Sequence, residues 1–394
     1  MAFGNVIQDL AAKSPTGQMV LLIDEYDKPI LGALNTPEVV QFRNSLKAFY
    51  SVIKTLESKQ RFTFLTGVSR FSKVSVFSDL NNIIDATMHP RTATLFGYTH
   101  EEVQAYFGEA IHALGEANGV TDEAAWNEII TRYDGYRFYP ASNSVMNPVS
   151  LGLCLNGLEF QNYWSQTAMP TFLIDTLKCH PLDFSCIDVT DDDLASYEPA
   201  NPNITTLLYQ TGYLTIKKFR NLGGSRYFEL GFPNREIEES FLRRLVPAYT
   251  GMETATANSA QALAAKALFS HDVPKFVKAL KAFFANIPYS LTDRQNEQMW
   301  QTIVYVVLKS IGVGVNGEVQ TNDGRIDMTA ETPAGFYVIE FKLDKSADEA
   351  LAQIKEDGYA EMYGLSSKPI SLIGVSFSSE KRTIVDVMTE EIRV

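Results

Sequence analysis

The chain has 394 residues, of which 45% are hydrophobic and 21% charged, and it carries a formal net charge of -13. That length implies more than one domain, and the apolar-to-charged balance excludes wholesale disorder. The negative charge excludes coating of nucleic acid by bulk electrostatics but leaves room for a local basic groove.

The N-terminal stretch MAFGNVIQDLAAKSPTG reads as a short helix and a loop. It lacks the basic start and apolar core of a secretory signal. VLLIDE, residues 20–25, is an apolar run ending in Asp24 and Glu25, the pattern of a buried strand. PEVVQFRNSLKAFYSVIKTLES then carries helical periodicity, and RFTFLTGVSRFS is a second strand running into a polar turn. Strands alternating with helices imply a parallel sheet whose functional edge lies at the strand C-termini. Asp24, Glu25, Thr66, Ser69 and Arg70 fall on that edge. EEVQAYFGEAIHALGEANG and DEAAWNEIITRYDGYRF read as two more helices, the second closing at Gly135.

The middle changes character. ITTLLYQTGYLTIKKF, GGSRYFELGF and REIEESFLRRLVPAY give helix, hairpin and helix, compatible with a winged-helix-like module. Between Ile216 and Phe228 the hairpin carries Lys217, Lys218, Arg220 and Arg226 with no acidic residue, which reads as a nucleic-acid contact or a solvated hairpin tip. The three cysteines, Cys154, Cys179 and Cys186, are too few for a disulfide framework and fit a reducing compartment. Cys179, His180 and Cys186 have no fourth zinc ligand nearby and read as structural or incidental. Ala-rich helices follow. No apolar stretch is long enough to span a bilayer, so a cytoplasmic protein without a membrane partner is expected.

The last hundred residues read as a separate unit in the order helix, three strands, helix, strand pair. Within it, GRID is followed by EFK, placing Asp327 thirteen residues before Glu340 with Lys342 two beyond. Glu340 and Lys342 share one face of a strand. A turn around Pro333 to Gly335 can bring Asp327 opposite Glu340. Two converging carboxylates beside a cation make a site for a hard divalent ion, Mg²⁺ or Mn²⁺. The plain alternative is an amphipathic strand whose Glu and Lys face water, but both interrupt the apolar run FYVIEF rather than sit in a polar loop.

This pattern resembles the PD-(D/E)XK nuclease superfamily over about residues 286–394. Asp327 matches the metal-ligating Asp, with Ile326 where the short motif has Pro, and Glu340-Phe341-Lys342 matches E-x-K. Glu297 matches the first-helix acid that assists metal binding. Gln353 and Tyr359, in QIKEDGYAEMY, match polar helix positions that face the site. The resemblance implies a restriction-endonuclease-like α/β sandwich with Asp327, Glu340, Lys342 and Gln353 catalytic and Asp327, Glu340 and Glu297 holding metal. Tyr359 and the basic hairpin are expected to contact nucleic acid.

The front of the chain is similar to the AAA-ATPase-like domain that many bacterial proteins join to such a nuclease domain. LLIDEYDKPI, FLTGVSRFSKVSVFSDLNNI, RYDGYRF, NPVSL and NYWSQTAMPTFL carry the likeness in order and spacing. It implies that Asp24 and Glu25 are a Walker B pair, with Thr66 or Ser69 as a sensor. The chain departs from the family in having no GK pair and no G-x-x-x-x-G-K-[ST]. GVGVNG, at Gly312 to Gly317, lacks the Lys and reads as a turn. The nucleotide residues therefore read as vestigial, and ATP is expected only if a phosphate loop is supplied elsewhere.

The expected fold class is α/β. It comprises an incomplete AAA/P-loop-like parallel sheet over 1–169, a helical, winged-helix-like middle over 170–285 and the nuclease-like sandwich over 286–394. The incomplete sheet has an exposed edge, which a missing segment or a homo-oligomer would complete. The expected function is divalent-metal-dependent hydrolysis of nucleic-acid phosphodiesters, DNA first, on a scaffold that does not hydrolyse ATP as given. The alternatives are a non-catalytic nucleic-acid-binding or regulatory module and an AAA-type nucleotide switch.

Overall fold

The computed structural model describes residues 2–34, 36–70, 82–166, 173–174, 176–177, 182, 184, 187–195, 203–285, 297–320, 325–356, 358, 368–381 and 383–392. By contacts the chain divides into two units, Met1–Glu159 with Asp188–Pro233, and Phe160–Ile187 with Asn234–Val394. This division does not fall at the boundaries expected at 169 and 285. The helix, hairpin, helix run is split by it, with the hairpin in the first unit and the following helix in the second.

The first unit begins with α1 (Ala2–Lys13), β1 (Met19–Ile23), α2 (Lys28–Leu31), α3 (Val39–Thr55) and β2 (Gln60–Leu65). β1 and β2 pair in parallel, Val20 against Phe62 and Leu22 against Phe64. Alternation decides burial here. Leu21 turns inward, while Leu22 and Phe62 on the other face are 69% and 55% exposed. The apolar run at 20–23 is thus buried on one side only.

Three helices follow, α4 (His100–Asn118), α5 (Asp122–Tyr133) and α6 (Pro148–Gly157), each with a side-chain N-cap from Thr99, Thr121 or Asn147. Thr99 and Glu102 form a full capping box. α5 ends at Tyr133 rather than at Gly135, because Asp134 already takes an extended conformation. Gly135 has φ +109° and a Cβ there would lie 2.1 Å from the Pro233 carbonyl oxygen. The unit closes with β3 (Ile187–Thr190), α7 (Asp191–Ala195), α8 (Ile204–Gln210), β4 (Thr215–Leu222) and β5 (Ser225–Gly231), whose sheet order is β3-β5-β4. Gly223 and Gly224, both at positive φ, make the tight turn of the hairpin.

The second unit contains α9 (Arg235–Thr250), α10 (Thr254–Phe269), α11 (Val273–Ala285) and α12 (Glu297–Ser310), then β6 (Gly314–Gln320), β7 (Arg325–Thr332) and β8 (Gly335–Leu343). It ends with α13 (Ala347–Glu356), β9 (Ile370–Ser378) and β10 (Thr383–Ile392). The five strands form one mixed sheet in the order β10-β9-β8-β7-β6, with β8 and β9 parallel and the other pairs antiparallel. The central strand β8 is apolar on both faces because both are covered. On one face Val338 packs with Leu372 and with Leu351 and Ile354 of α13. On the other, Phe341 stacks on Phe377, which in turn stacks on Trp300 of α12 and meets Phe284 of α11.

Gly374 sets how closely α13 approaches. It is the register partner of Glu340, and a Cβ there would meet the Ala347 carbonyl oxygen at 2.4 Å and the Leu351 nitrogen at 2.8 Å. The helix therefore lies directly on the sheet beside Glu340. Among the described residues, no helix is long and apolar enough to cross a membrane.

Candidate metal centre

The β7–β8 hairpin is closed by Thr332, whose hydroxyl oxygen accepts from the Ala334 and Gly335 N–H groups at 3.2 Å each. From that turn the register runs Thr332–Gly335 to Met328–Ile339, and one step further places Asp327 beside Glu340. The two carboxylates are then tied across the strands. Phe341 N–H donates to Asp327 Oδ2 at 2.9 Å, and Asp327 N–H donates to Glu340 Oε2 at 3.4 Å. Lys342 Nζ donates to the other Glu340 oxygen, Oε1, at 2.9 Å.

Glu340 is only 1% exposed. Burial, and next the Asp327 charge, push its carboxyl up to about 7, while hydrogen bonding and charge from Lys342 pull the other way. With both carboxylates ionised the cluster carries one net negative charge in a poorly solvated place. A small divalent cation would answer that imbalance, and the donor set is hard oxygen, which would suit Mg²⁺ or Mn²⁺. Among the described residues no group of three or more His, Cys, Asp and Glu side chains is placed to hold a metal ion. Asp327 and Glu340 would thus supply two donors and leave the rest to water and substrate, as Mg²⁺ sites commonly do.

The other residues expected at this site divide into two groups. Gln353 is half-buried on α13, the helix covering the Glu340 face of β8. Glu297 opens α12, but its side chain lies outside the described residues, as does all of Tyr359.

At the C-terminal ends of β1 and β2 the polar residues are engaged with one another. The Thr66 hydroxyl and the Glu25 N–H both donate to Asp24 Oδ1 and hold the Asp24 carboxyl below its ordinary range. Glu25, at φ 51°, pairs with Lys28 at 2.7 Å on the surface. Ser69 does not face an open edge. Its N–H and hydroxyl donate to Asp27 Oδ2 at 2.5 and 2.7 Å, and Val68 N–H reaches Asp27 Oδ1 at 3.2 Å.

Asp27 is fully buried, which nothing in its polar sequence neighbourhood signals. Its place before Lys28-Pro29 marks a helix N-cap, yet its side chain makes no cap bond and turns to Val68 and Ser69 instead. Tyr26 adds a hydrogen bond to the Ser69 carbonyl oxygen at 2.6 Å. Gly67 is needed in this clasp, because a Cβ would lie 2.5 Å from Asp27 Oδ1. Arg70 pairs with Asp85 at 2.6 Å.

The hairpin of β4 and β5 is less cationic than its sequence. Lys218 pairs with Glu229 at 3.0 Å, Arg220 with Asp188 at 2.7 Å, and Arg226 with Asp191. Lys217 donates to the Pro233 carbonyl oxygen at 3.0 Å. The acids on Arg220 and Arg226 come from β3 and α7, more than thirty positions upstream.

Comparison with known proteins adds three findings. Residues 295–387 match the family model of the PD-(D/E)XK nuclease superfamily, and residues 1–77 match that of a predicted AAA-ATPase. The chain is also 34% identical over 401 residues to an Azotobacter chroococcum mcd 1 protein described as "Uncharacterized protein in vnfD 5'region". That alignment covers 99% of this chain and 75% of the Azotobacter protein. No solved structure matches the chain.

Proposed function

Because the chain belongs to a family that joins an AAA-ATPase-like N-terminal domain to a C-terminal PD-(D/E)XK nuclease domain, we propose that it is a divalent-metal-dependent nuclease. Its substrate is a nucleic-acid phosphodiester, DNA before RNA. The observation that carries this reading is the pair of cross-strand bonds that hold the Asp327 carboxylate on the Phe341 N–H and the Glu340 carboxylate on the Asp327 N–H, with Lys342 on Glu340.

In this reading Asp327 and Glu340 hold Mg²⁺ or Mn²⁺, with Glu297 as the further acid. When bound, the ion supplies a Lewis acid for a phosphoryl oxygen and a water of lowered pKa. The residues of the chain do the rest. Glu340, buried under α13, keeps bulk water from one side of the site. Asp327 is held in place by the Phe341 N–H, so its orientation costs nothing when substrate arrives. Lys342 sets its ammonium beside the carboxylate pair, where it can meet a phosphate oxygen and stabilise the charge that builds during attack. Gln353 belongs to the same wall.

ATP enters this scheme only with a phosphate-binding loop from elsewhere, since these 394 residues contain no GK pair. The test is cleavage of plasmid, single-stranded DNA and RNA with Mg²⁺ or Mn²⁺ and without nucleotide. Lys342→Ala and Glu340→Ala should each lose on the order of 100-fold or more in rate. A wild type that cuts none of the three substrates, or a Lys342→Ala variant that cuts as well as the wild type, overturns the reading.

A further inference from the structure

In a parallel strand pair, ligands gather beyond the carboxyl ends of the strands. β8 and β9 are the parallel pair of the nuclease-like sheet, and Lys342 sits one residue from the end of β8. The two loops that leave this edge are bound to each other. Asp344, just past β8, takes a left-handed conformation at φ 56°. Its N–H donates to the Phe377 carbonyl oxygen at 2.8 Å. Its carboxylate accepts from the Ser379 N–H at 2.8 Å and from the Ser379 hydroxyl at 2.6 Å. Ser376, the register partner of Lys342, donates its hydroxyl to the Lys345 carbonyl oxygen at 2.5 Å. Lys381 N–H donates to the Ser378 hydroxyl oxygen at 3.1 Å.

A left-handed aspartate is costly unless its surroundings hold it there. Three hydrogen bonds do so, and their effect is to fix the backbone under Lys345 and Lys381. Both lysines are exposed, and neither makes an ion pair among the described residues. Elsewhere in this unit Lys275, Lys309, Lys355 and Lys368 are each spoken for by a carboxylate, while Lys266, Lys278 and Lys281, which also make no ion pair among the described residues, lie on α10 and α11 rather than on the loops that leave this edge. In an acidic chain, two ammonium groups left without a carboxylate and mounted on a clasped edge beside a phosphodiester site suit a polyanion.

We propose that Lys345 and Lys381 form a second phosphate-contacting subsite, which takes backbone phosphates of the nucleic acid flanking the scissile one. Asp344 is the positioning residue that holds this rim through Ser379. The inference rests on the nuclease reading for the kind of ligand, but its test is separable.

Binding of a fluorescein-labelled DNA duplex to the full chain is measured by anisotropy in Ca²⁺ at several salt concentrations. Removing both lysines (K345Q with K381Q) should weaken binding several-fold and reduce the slope of log K against log salt by about 2. Asp344→Ala should reproduce much of that loss. Asp344→Asn keeps an acceptor and tolerates the left-handed conformation, and should recover it. In cleavage the double variant should lose more in KM than in kcat. An unchanged salt slope in the double variant overturns the subsite, even where the wild type cuts DNA. A wild type that cuts no nucleic acid, yet binds duplex with a slope the double variant reduces, overturns the nuclease reading and leaves the subsite standing. A wild type that does not bind duplex at all overturns the subsite.

Discussion

Glu340 shows how one side chain can carry opposite demands. Its ordinary value is 4.5, and burial together with Asp327 raises it to about 7 in the folded protein. The folded state therefore holds the proton more tightly than the unfolded chain. Stability from this group is fully present below about 4.5 and is lost as pH rises through 7. The loss at full ionisation is roughly 3 kcal/mol at most. Metal-free protein should accordingly show a falling urea midpoint from pH 5 to 8, and Glu340→Gln should flatten the curve. Mn²⁺ should restore more stability at pH 8 than at pH 5, where protons compete for the carboxylate. A wild-type curve that parallels Glu340→Gln counts against the buried charge.

Asp27 is a second buried carboxylate. It is as buried as Glu340, but three donors converge on it. Asp27→Ala would leave the Val68 and Ser69 N–H groups without acceptors. The expected cost is about 2–4 kcal/mol, read as a lower denaturation midpoint. Asp27→Asn should recover part of it.

At the scale of elements, the contact between α13 and the sheet is the sensitive one. Gly374 leaves no room for a methyl group, since both nearest atoms belong to the helix backbone. Gly374→Ala must shift α13 outward, at a cost of about 1–3 kcal/mol, and should weaken Mn²⁺ binding because Glu340 lies in register beneath that helix. Gly152, a helical glycine with open space around it, is the control. Gly152→Ala should be neutral or stabilising by up to about 1 kcal/mol. Equal effects of the two substitutions on Mn²⁺ affinity, measured calorimetrically, would remove the argument.

The same elements show what could be read in advance. FYVIEF reads as a strand from its apolar run, and the sheet order makes it the central one. The short Pro333–Gly335 turn leaves little freedom of register, so the meeting of Asp327 and Glu340 was legible. Asp27 was not, because its partners lie forty residues on and its own neighbours are polar. The hairpin looked basic for a similar reason, since Asp188 and Asp191 reach it from a distant segment. Alternation at Val20 and Leu22 was hidden by a run apolar at every position, which looks the same whether one face is covered or two. The split of helix from hairpin also has no local signal, because it depends on which core each side chain joins.

For the whole molecule, the chain passes between the two units three times, after Glu159, Ile187 and Pro233. Each unit nevertheless has its own buried set, with Val103, Ile129 and Leu151 in one and Phe241, Trp300 and Phe377 in the other. Separate cores permit separate unfolding, and only the second unit contains Asp327, Glu340 and Lys342. Differential scanning calorimetry in a chelator should then resolve two transitions. Asp27→Ala lowers one, and Gly374→Ala lowers the other. Mn²⁺ at about 100 times its dissociation constant adds roughly 2.7 kcal/mol to the state that binds it, a rise of several degrees for a unit of this size. That rise should appear only in the transition marked by Gly374→Ala, and Glu340→Gln should abolish it. If Mn²⁺ moved both transitions together, or if the two substitutions lowered the same one, the units would unfold as one body and the metal would stabilise more than the centre that holds it.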